Sequence, residues 1–240
     1  KARKHTGREM PQRIVPVENR VTGNDWKPPV YTDSTKIDLD HDCLLNNRCI
    51  GISPDSPELE SYKVLRTKIQ QLTKGKGWNT IMITSANAGE GKTLTAVNLA
   101  LTFARAYNQT VMLVDCDFRH QSIQKLLGLE SNAGLIDYLV DGRPLNEFII
   151  WPGIDKLTLI SGGRTFEDSS ELLASPRMKN LVTELKSRYD ALLAANLDPE
   201  IPEDRCILFS RCRAWVVYQG YSQEIGNDCL SAFHYDGDQT

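Results

Sequence analysis

The sequence has no apolar run approaching the roughly 20 residues of a membrane-spanning helix, and nothing in it reads as a signal peptide. Charge of neither sign dominates: 28 Lys and Arg stand against 31 Asp and Glu, a net of −3, which argues against bulk nucleic-acid binding. The six cysteines lack zinc or redox spacing, in the Cys43/Cys49 pair as in Cys206/Cys212, so reduced thiols and a cytoplasmic location are expected. There is no internal repeat. What is left is room, in 240 residues, for one sizeable α/β domain with appendages.

The small net charge is unevenly spread. Residues 1–20 carry six basic and two acidic side chains, whereas 191–240 carry three basic and eight acidic. The basic arm reads as a solvated tail or as a segment drawn weakly to an anionic membrane surface.

The chain is organised around Ile81 to Tyr107. Ile81-Met82-Ile83 is a short apolar run, read as a buried strand. Gly89-Glu90-Gly91-Lys92-Thr93 follows and opens a long apolar helix in which Leu94, Val97, Leu99, Leu101 and Phe103 recur. Strand, Gly-rich turn and helix N-terminus together make a phosphate cradle. Backbone N–H groups and the helix dipole face an anion, Lys92 reaches the β- and γ-phosphates, and the Thr93 hydroxyl can ligate Mg²⁺. Ala86 occupies the place of the first Gly in Gly-x-x-x-x-Gly-Lys-Ser/Thr. A chance Gly-rich turn is the competing reading, and the flanking strand and helix argue against it.

A second apolar run, Val111 to Val114, ends in Asp115-Cys116-Asp117-Phe118-Arg119. If the strand continues, Asp115 and Asp117 share a face at its carboxyl end, where open α/β sheets bind ligands. Mg²⁺ beside a nucleotide is the natural partner of such acids, and capping of the next helix is the alternative.

The rest supplies the frame. Residues 1–57, rich in Pro, Asn, Asp and Thr, read as an extended linker. Ser56-Pro57-Glu58 opens an amphipathic helix through Leu72, with Tyr62, Leu65, Ile69 and Leu72 on one face and Glu60, Lys63 and Arg66 on another. Short helices are expected at 123–129 and 134–139, a third strand at 157–160, and helices at 171–173 and 178–189. Alternating strands and helices imply βαβ units and a parallel sheet flanked by helices.

These pieces, in this order, resemble the bacterial tyrosine autokinases of capsule and exopolysaccharide synthesis, the exosortase-associated type above all, P-loop relatives of the Min/Par ATPases. The matching stretches are Tyr62–Thr67, Gly77–Thr80, Ser85–Thr93, Leu113–Arg119, Gly134-Leu135, Gly162-Gly163-Arg164 and Ser170–Met178, with weaker likeness at Lys36–Leu39. The resemblance implies a P-loop NTPase fold, ATP and Mg²⁺ as cofactors, and autophosphorylation on tyrosine. It also implies a membrane chain-length or activator protein as partner, and a place at the inner face of the membrane through it. Gly89, Glu90, Gly91, Lys92, Thr93 and Leu94 would form Walker A, Asp115 and Asp117 the second acidic motif, and Arg119 its support. Lys92, Asp115 and Asp117 would be catalytic, with Thr93, Asp115 and Asp117 on the metal. Glu60, Lys63 and Arg66 would stand in the Glu-x-x-Arg-x-x-Arg ring-assembly motif, with Lys63 replacing a planar bidentate donor by a point charge.

The departures fall late in the chain. The family's Walker B strand ends in Asp before Pro. Cys206–Phe209 is the candidate strand read here, and Ser210 stands where the acid belongs. The domain is therefore expected at 58–190, incomplete at its C-terminus. Residues 191–240 are expected to form a divergent tail, whether by truncation, divergence, disorder or a frameshift. Codons available to Cys212–Trp215, read one base earlier, give an apolar–Pro run like the one after Walker B. A nucleotide-binding regulator without catalysis is the alternative function. A Min/Par ATPase is disfavoured, because its signature Lys is here Asn87.

Overall fold

Short apolar runs bounded by turn residues become the strands of one sheet. The structure, a computed structural model, describes residues 34–53, 56–73, 77–84, 89–106, 109–130, 133–195, 206–210, 213–218 and 221–224, the last three stretches by backbone alone. The elements run β1 (Thr35–Lys36), α1 (His41–Asn46), α2 (Pro57–Thr73), β2 (Thr80–Ile83), α3 (Lys92–Ala104), β3 (Val111–Asp115), α4 (Ile123–Leu127) and α5 (Leu135–Leu139). They continue with β4 (Ile149–Trp151), β5 (Leu157–Ile160), α6 (Ser169–Leu173), α7 (Pro176–Arg188), β6 (Ala191–Ala195), β7 (Cys206–Ser210), β8 (Arg213–Tyr218) and β9 (Tyr221–Glu224).

The strand order is β1-β4-β5-β3-β6-β2-β7-β8-β9. From β5 to β7 all pairings are parallel, as the βαβ reading requires, while β4 on one side and β8 and β9 on the other run antiparallel to their inner neighbours. Side chains alternate across the sheet with period two. Ile81, Ile83, Leu113 and Leu193 meet α2 and α3 on one face, and Met82, Met112, Val114 and Leu192 meet α5 and α7 on the other. No helix among the described residues is long and apolar enough to cross a membrane.

Helix α2 lies where its periodicity places it, with Leu59, Tyr62, Leu65 and Ile69 buried. α7 starts on a Ser175 cap, whose side chain accepts from Met178 N, with Pro176 at its first position. α4 stops at Gly128, whose φ of 67° ends the helix in the left-handed region.

Three expectations are corrected. Residues 34–53 are part of the fold rather than an extended linker. β1 pairs with β4, Leu44 and Cys49 are buried, and Gly51 packs so close to α3 that a Cβ on it would stand 2.4 Å from the Leu101 Cβ. Asn98 of α3 fixes this segment by accepting from Gly51 N (2.9 Å) and donating to the Arg48 carbonyl (3.0 Å). Second, the domain does not stop at residue 190. β6 lies at 191–195, fully buried between β3 and β2, and it rather than Cys206–Phe209 is the strand that directly follows α7. Third, the sheet is not left without later strands, because the backbone of β7 pairs with β2 and carries the β8–β9 hairpin.

Among the described residues Cys43, Cys49 and Cys116 are free thiols, as expected. The other three lie outside what is described of side chains, as does the basic arm.

Candidate nucleotide-binding site

β2 delivers the chain to the turn that opens α3. Gly89 (φ 77°) and Gly91 (φ 83°) both take left-handed backbone, and Gly91 is the residue on which α3 begins. A Cβ at either would meet nothing within 4 Å, so glycine is required there by backbone conformation rather than by crowding. Among the described residues no side chain caps α3 and no acid lies in its first turn, and the positive end of a 13-residue helix suits an anion. Lys92 and Thr93 are the first two residues of α3 and are half-buried, as is Glu90; Leu94 packs against the core. Ser85 to Ala88, the first half of the loop, lie outside the described residues.

β3 delivers the acids. It ends at Asp115, so Asp117 lies in the turn beyond it and the two carboxylates differ in environment. Asp115 is fully shielded from solvent. Its Oδ1 accepts from Asp117 N (3.1 Å), and its Oδ2 accepts from Ser122 N (3.3 Å) and Ile123 N (3.2 Å) at the start of α4. The capping alternative is thus realised in part. Burial nevertheless pushes the Asp115 carboxyl up to about 6, with nearby Asp117 adding to the rise against the pull of the three N–H donors. The same burial and both acids drive the Cys116 thiol well above its ordinary value. Asp117 is half-exposed, and its Oδ1 accepts from Arg119 N (3.2 Å) and His120 N (2.8 Å). The Arg119 side chain is exposed and reaches the Glu167 carbonyl at 3.4 Å.

Register brings the two halves together. In the parallel ladders Ala195 of β6 stands between Ile83 of β2 and Asp115 of β3, so turn and acids leave the same edge of the sheet. The strand end between them carries a methyl group. Asn196 to Asp198 and Pro199 lie outside the described residues. Among the described residues no group of three or more His, Cys, Asp or Glu forms a metal cluster. The donor set present is a hydroxyl and a carboxylate pair. It fits Mg²⁺, which is commonly held by one or two carboxylates together with nucleotide phosphates.

The Glu60, Lys63 and Arg66 face is only partly available to a partner. Lys63 pairs with Glu60 at 2.5 Å on the helix surface. Arg66 instead turns inward, its Nη1 donating to the Thr102 carbonyl of α3 (2.7 Å) while its Nε is buried with no partner among the described residues. Sequence reasoning also missed Gln121, a polar loop residue two positions beyond the Leu113–Arg119 stretch. Its amide donates to the Arg164 carbonyl and its side chain covers Gly162. Gly162 and Gly163, noted in the sequence, close on Gly134 so tightly that a Cβ on Gly134 would stand 2.3 Å from the Ser161 carbonyl oxygen.

Known proteins are similar to this chain in sequence and in fold. Residues 81–205, just over half of the chain, match the CobQ/CobB/MinD/ParA nucleotide binding domain. The tyrosine-protein kinase CpsD of Streptococcus pneumoniae is 30% identical over 159 residues, covering 66% of this chain and 69% of that protein. The tyrosine-protein kinase YwqD of Bacillus subtilis is 32% identical over 140 residues, 58% of this chain and 59% of its own length. EpsB of Ralstonia solanacearum is 31% identical over 161 residues, 66% of this chain, and the chain spans only 21% of its length. Among solved structures, the kinase domain of the Escherichia coli tyrosine kinase ETK superposes with a TM-score of 0.58 at 26% identity, over 70% of this chain and 68% of that one. The chain belongs to the CobQ/CobB/MinD/ParA family of nucleotide-binding domains and, within it, to the bacterial tyrosine-protein kinases.

Proposed function

We propose that this chain is the ATP-binding domain of a protein-tyrosine autokinase that regulates capsule or exopolysaccharide biosynthesis and export. One observation carries the reading: the Gly91 turn at the head of α3 and the Asp115–Asp117 turn leave the same sheet edge on either side of β6. In this reading the α3 N-terminus and Lys92 hold the β- and γ-phosphates, with Gly89, Glu90, Gly91, Thr93 and Leu94 forming the cradle. Mg²⁺, held by Thr93, Asp115 and Asp117, would neutralise phosphate charge. In the same reading Asp117, which is half-exposed, would take the proton of an incoming tyrosine hydroxyl, with Arg119 bracing its turn. Phosphoryl transfer asks little else of a protein than such positioning and charge neutralisation.

Incubation with γ-labelled ATP and Mg²⁺ tests this directly. Label on tyrosine is expected, and none in Lys92→Ala. Bound but untransferred label would support the second reading, a non-catalytic nucleotide-binding regulator. That reading is favoured by one feature, the Ala195 methyl at the strand end between turn and acids: β6, not Cys206–Phe209, directly follows α7, so the expected Walker B acid is missing at Ala195 rather than at Ser210. The kinase reading implies a membrane activator of the export system as partner, and hence a location at the inner membrane face. It does not imply nucleic acid. Self-association through Glu60 and Lys63 remains part of the proposal, whereas Arg66 has an intramolecular role.

A further inference from the structure

Between Asp117 and α4 the chain makes two consecutive anion-like turns around its own carboxylates. The N–H groups of 119 and 120 bond Asp117, and those of 122 and 123 bond Asp115. Gln121 is the residue between them, and together with the Phe118 carbonyl and the Arg119 side chain it ties this loop to the one at 161–167. Its Nε2 donates to the Arg164 carbonyl. Its Cγ and Cδ fill the notch over Gly162, where a Cβ would stand 3.0 and 2.9 Å away. The anchor is fixed in turn. Arg164 Nη2 contacts both oxygens of Asp141 at 3.0 Å, and the carbonyls of Ser161 and Gly162 accept from Leu135 N (2.8 Å) and Ile136 N (3.1 Å). A backbone bond from Phe166 N to the Phe118 carbonyl (3.0 Å) runs alongside.

We propose that Gln121 is a positioning residue for both acids: by latching the 117–123 loop to the 161–166 loop it sets where the Asp115 and Asp117 carboxylates point. The consequence for metal-assisted nucleotide binding rests on the function proposed above; the latch itself does not. Gln121→Met keeps length and packing and removes the donor. Gly162→Ala leaves residue 121 untouched and displaces its side chain from the other side.

Amide hydrogen exchange on the full chain without ligand is the first measurement. Both variants should exchange about fivefold faster than wild type at 119, 120, 122 and 123, the equilibrium equivalent of one ordinary hydrogen bond, with β3 and β6 amides unchanged. Gln121→Lys, which restores an N–H donor of similar reach, should return exchange towards wild type. Calorimetric titration with ADP is the second. Gln121→Met should lose about fivefold of the affinity gained on adding Mg²⁺ and keep its metal-free ADP affinity. Unchanged exchange at these four amides, or equal loss of metal-free and Mg²⁺-assisted affinity, overturns the proposal. If exchange responds while wild-type protein shows no Mg²⁺-assisted ADP binding, the latch stands and the nucleotide reading falls.

Discussion

Asp115 is a carboxylate kept out of water by the strand it terminates, and that burial sets a pH dependence. Its folded value of about 6 lies above the ordinary value for an exposed aspartate, so the folded state holds this proton more tightly than the unfolded chain. The metal-free protein should therefore lose stability as pH rises from about 4 to about 6, by at most roughly 3 kcal/mol, and regain it on acidification across the same window. Urea denaturation at pH 4, 5 and 6 checks the sign. Asp115→Asn should flatten that limb, and an unaltered pH slope in that variant would assign it to another group. Lys92→Ala should weaken ADP binding by roughly tenfold or more, about 1.4 kcal/mol, without altering the fold, because the residue lies half-buried at the head of α3. Calorimetry on folded variant decides it. At this scale the sequence was most legible where residue type and spacing state a chemistry, as in Gly91-Lys92-Thr93 and Asp115/Asp117. It was silent on Gln121, because a glutamine latched to a distant carbonyl leaves no local pattern.

Two glycines of the fold demand glycine for different reasons, and substitution separates them. Gly91→Ala should cost about 1 kcal/mol, the penalty for left-handed backbone in open space. Gly134→Ala drives a Cβ into the backbone of the 161–163 loop, so a loss above about 3 kcal/mol is expected, with thermal denaturation as the readout. Helix α2 offers a second contrast. Glu60→Ala should be nearly neutral, within about 0.5 kcal/mol, since its ion pair is exposed. Arg66→Ala removes a partly buried donor from the C-terminal turn of α3 and should cost about 1–2 kcal/mol. Equal losses would return Arg66 to the surface role its motif suggests. Elements were readable when their apolar period was long or bounded by breakers: α2, β2, β3 and β5 lie within a residue or two of expectation. β6 was missed because Ala191-Leu-Leu-Ala-Ala195 has no β-branched or aromatic residue and follows a helix of similar tone; only its place between two strands makes it a strand. β1, two residues long, is held by tertiary pairing and has no period to read.

For the whole molecule the order of the strands matters more than their number. β2 and β3 do not touch as strands; β6 joins them, bonded to both along its length. A chain ending at Tyr189 should therefore lose cooperative unfolding and Mg²⁺-ADP binding together, and should not persist as a resistant core in limited proteolysis. Survival of either property would show that α3 alone holds the halves in register. The same ordering constrains how the protein is made. The strand at the middle of the site is synthesised late, about 75 residues after β3 is complete. A nascent chain thus carries a glycine turn and an acid turn that have no fixed relation to each other. The nucleotide pocket closes as a late event, when Ala195 has left the ribosome and β6 slides between strands made long before it.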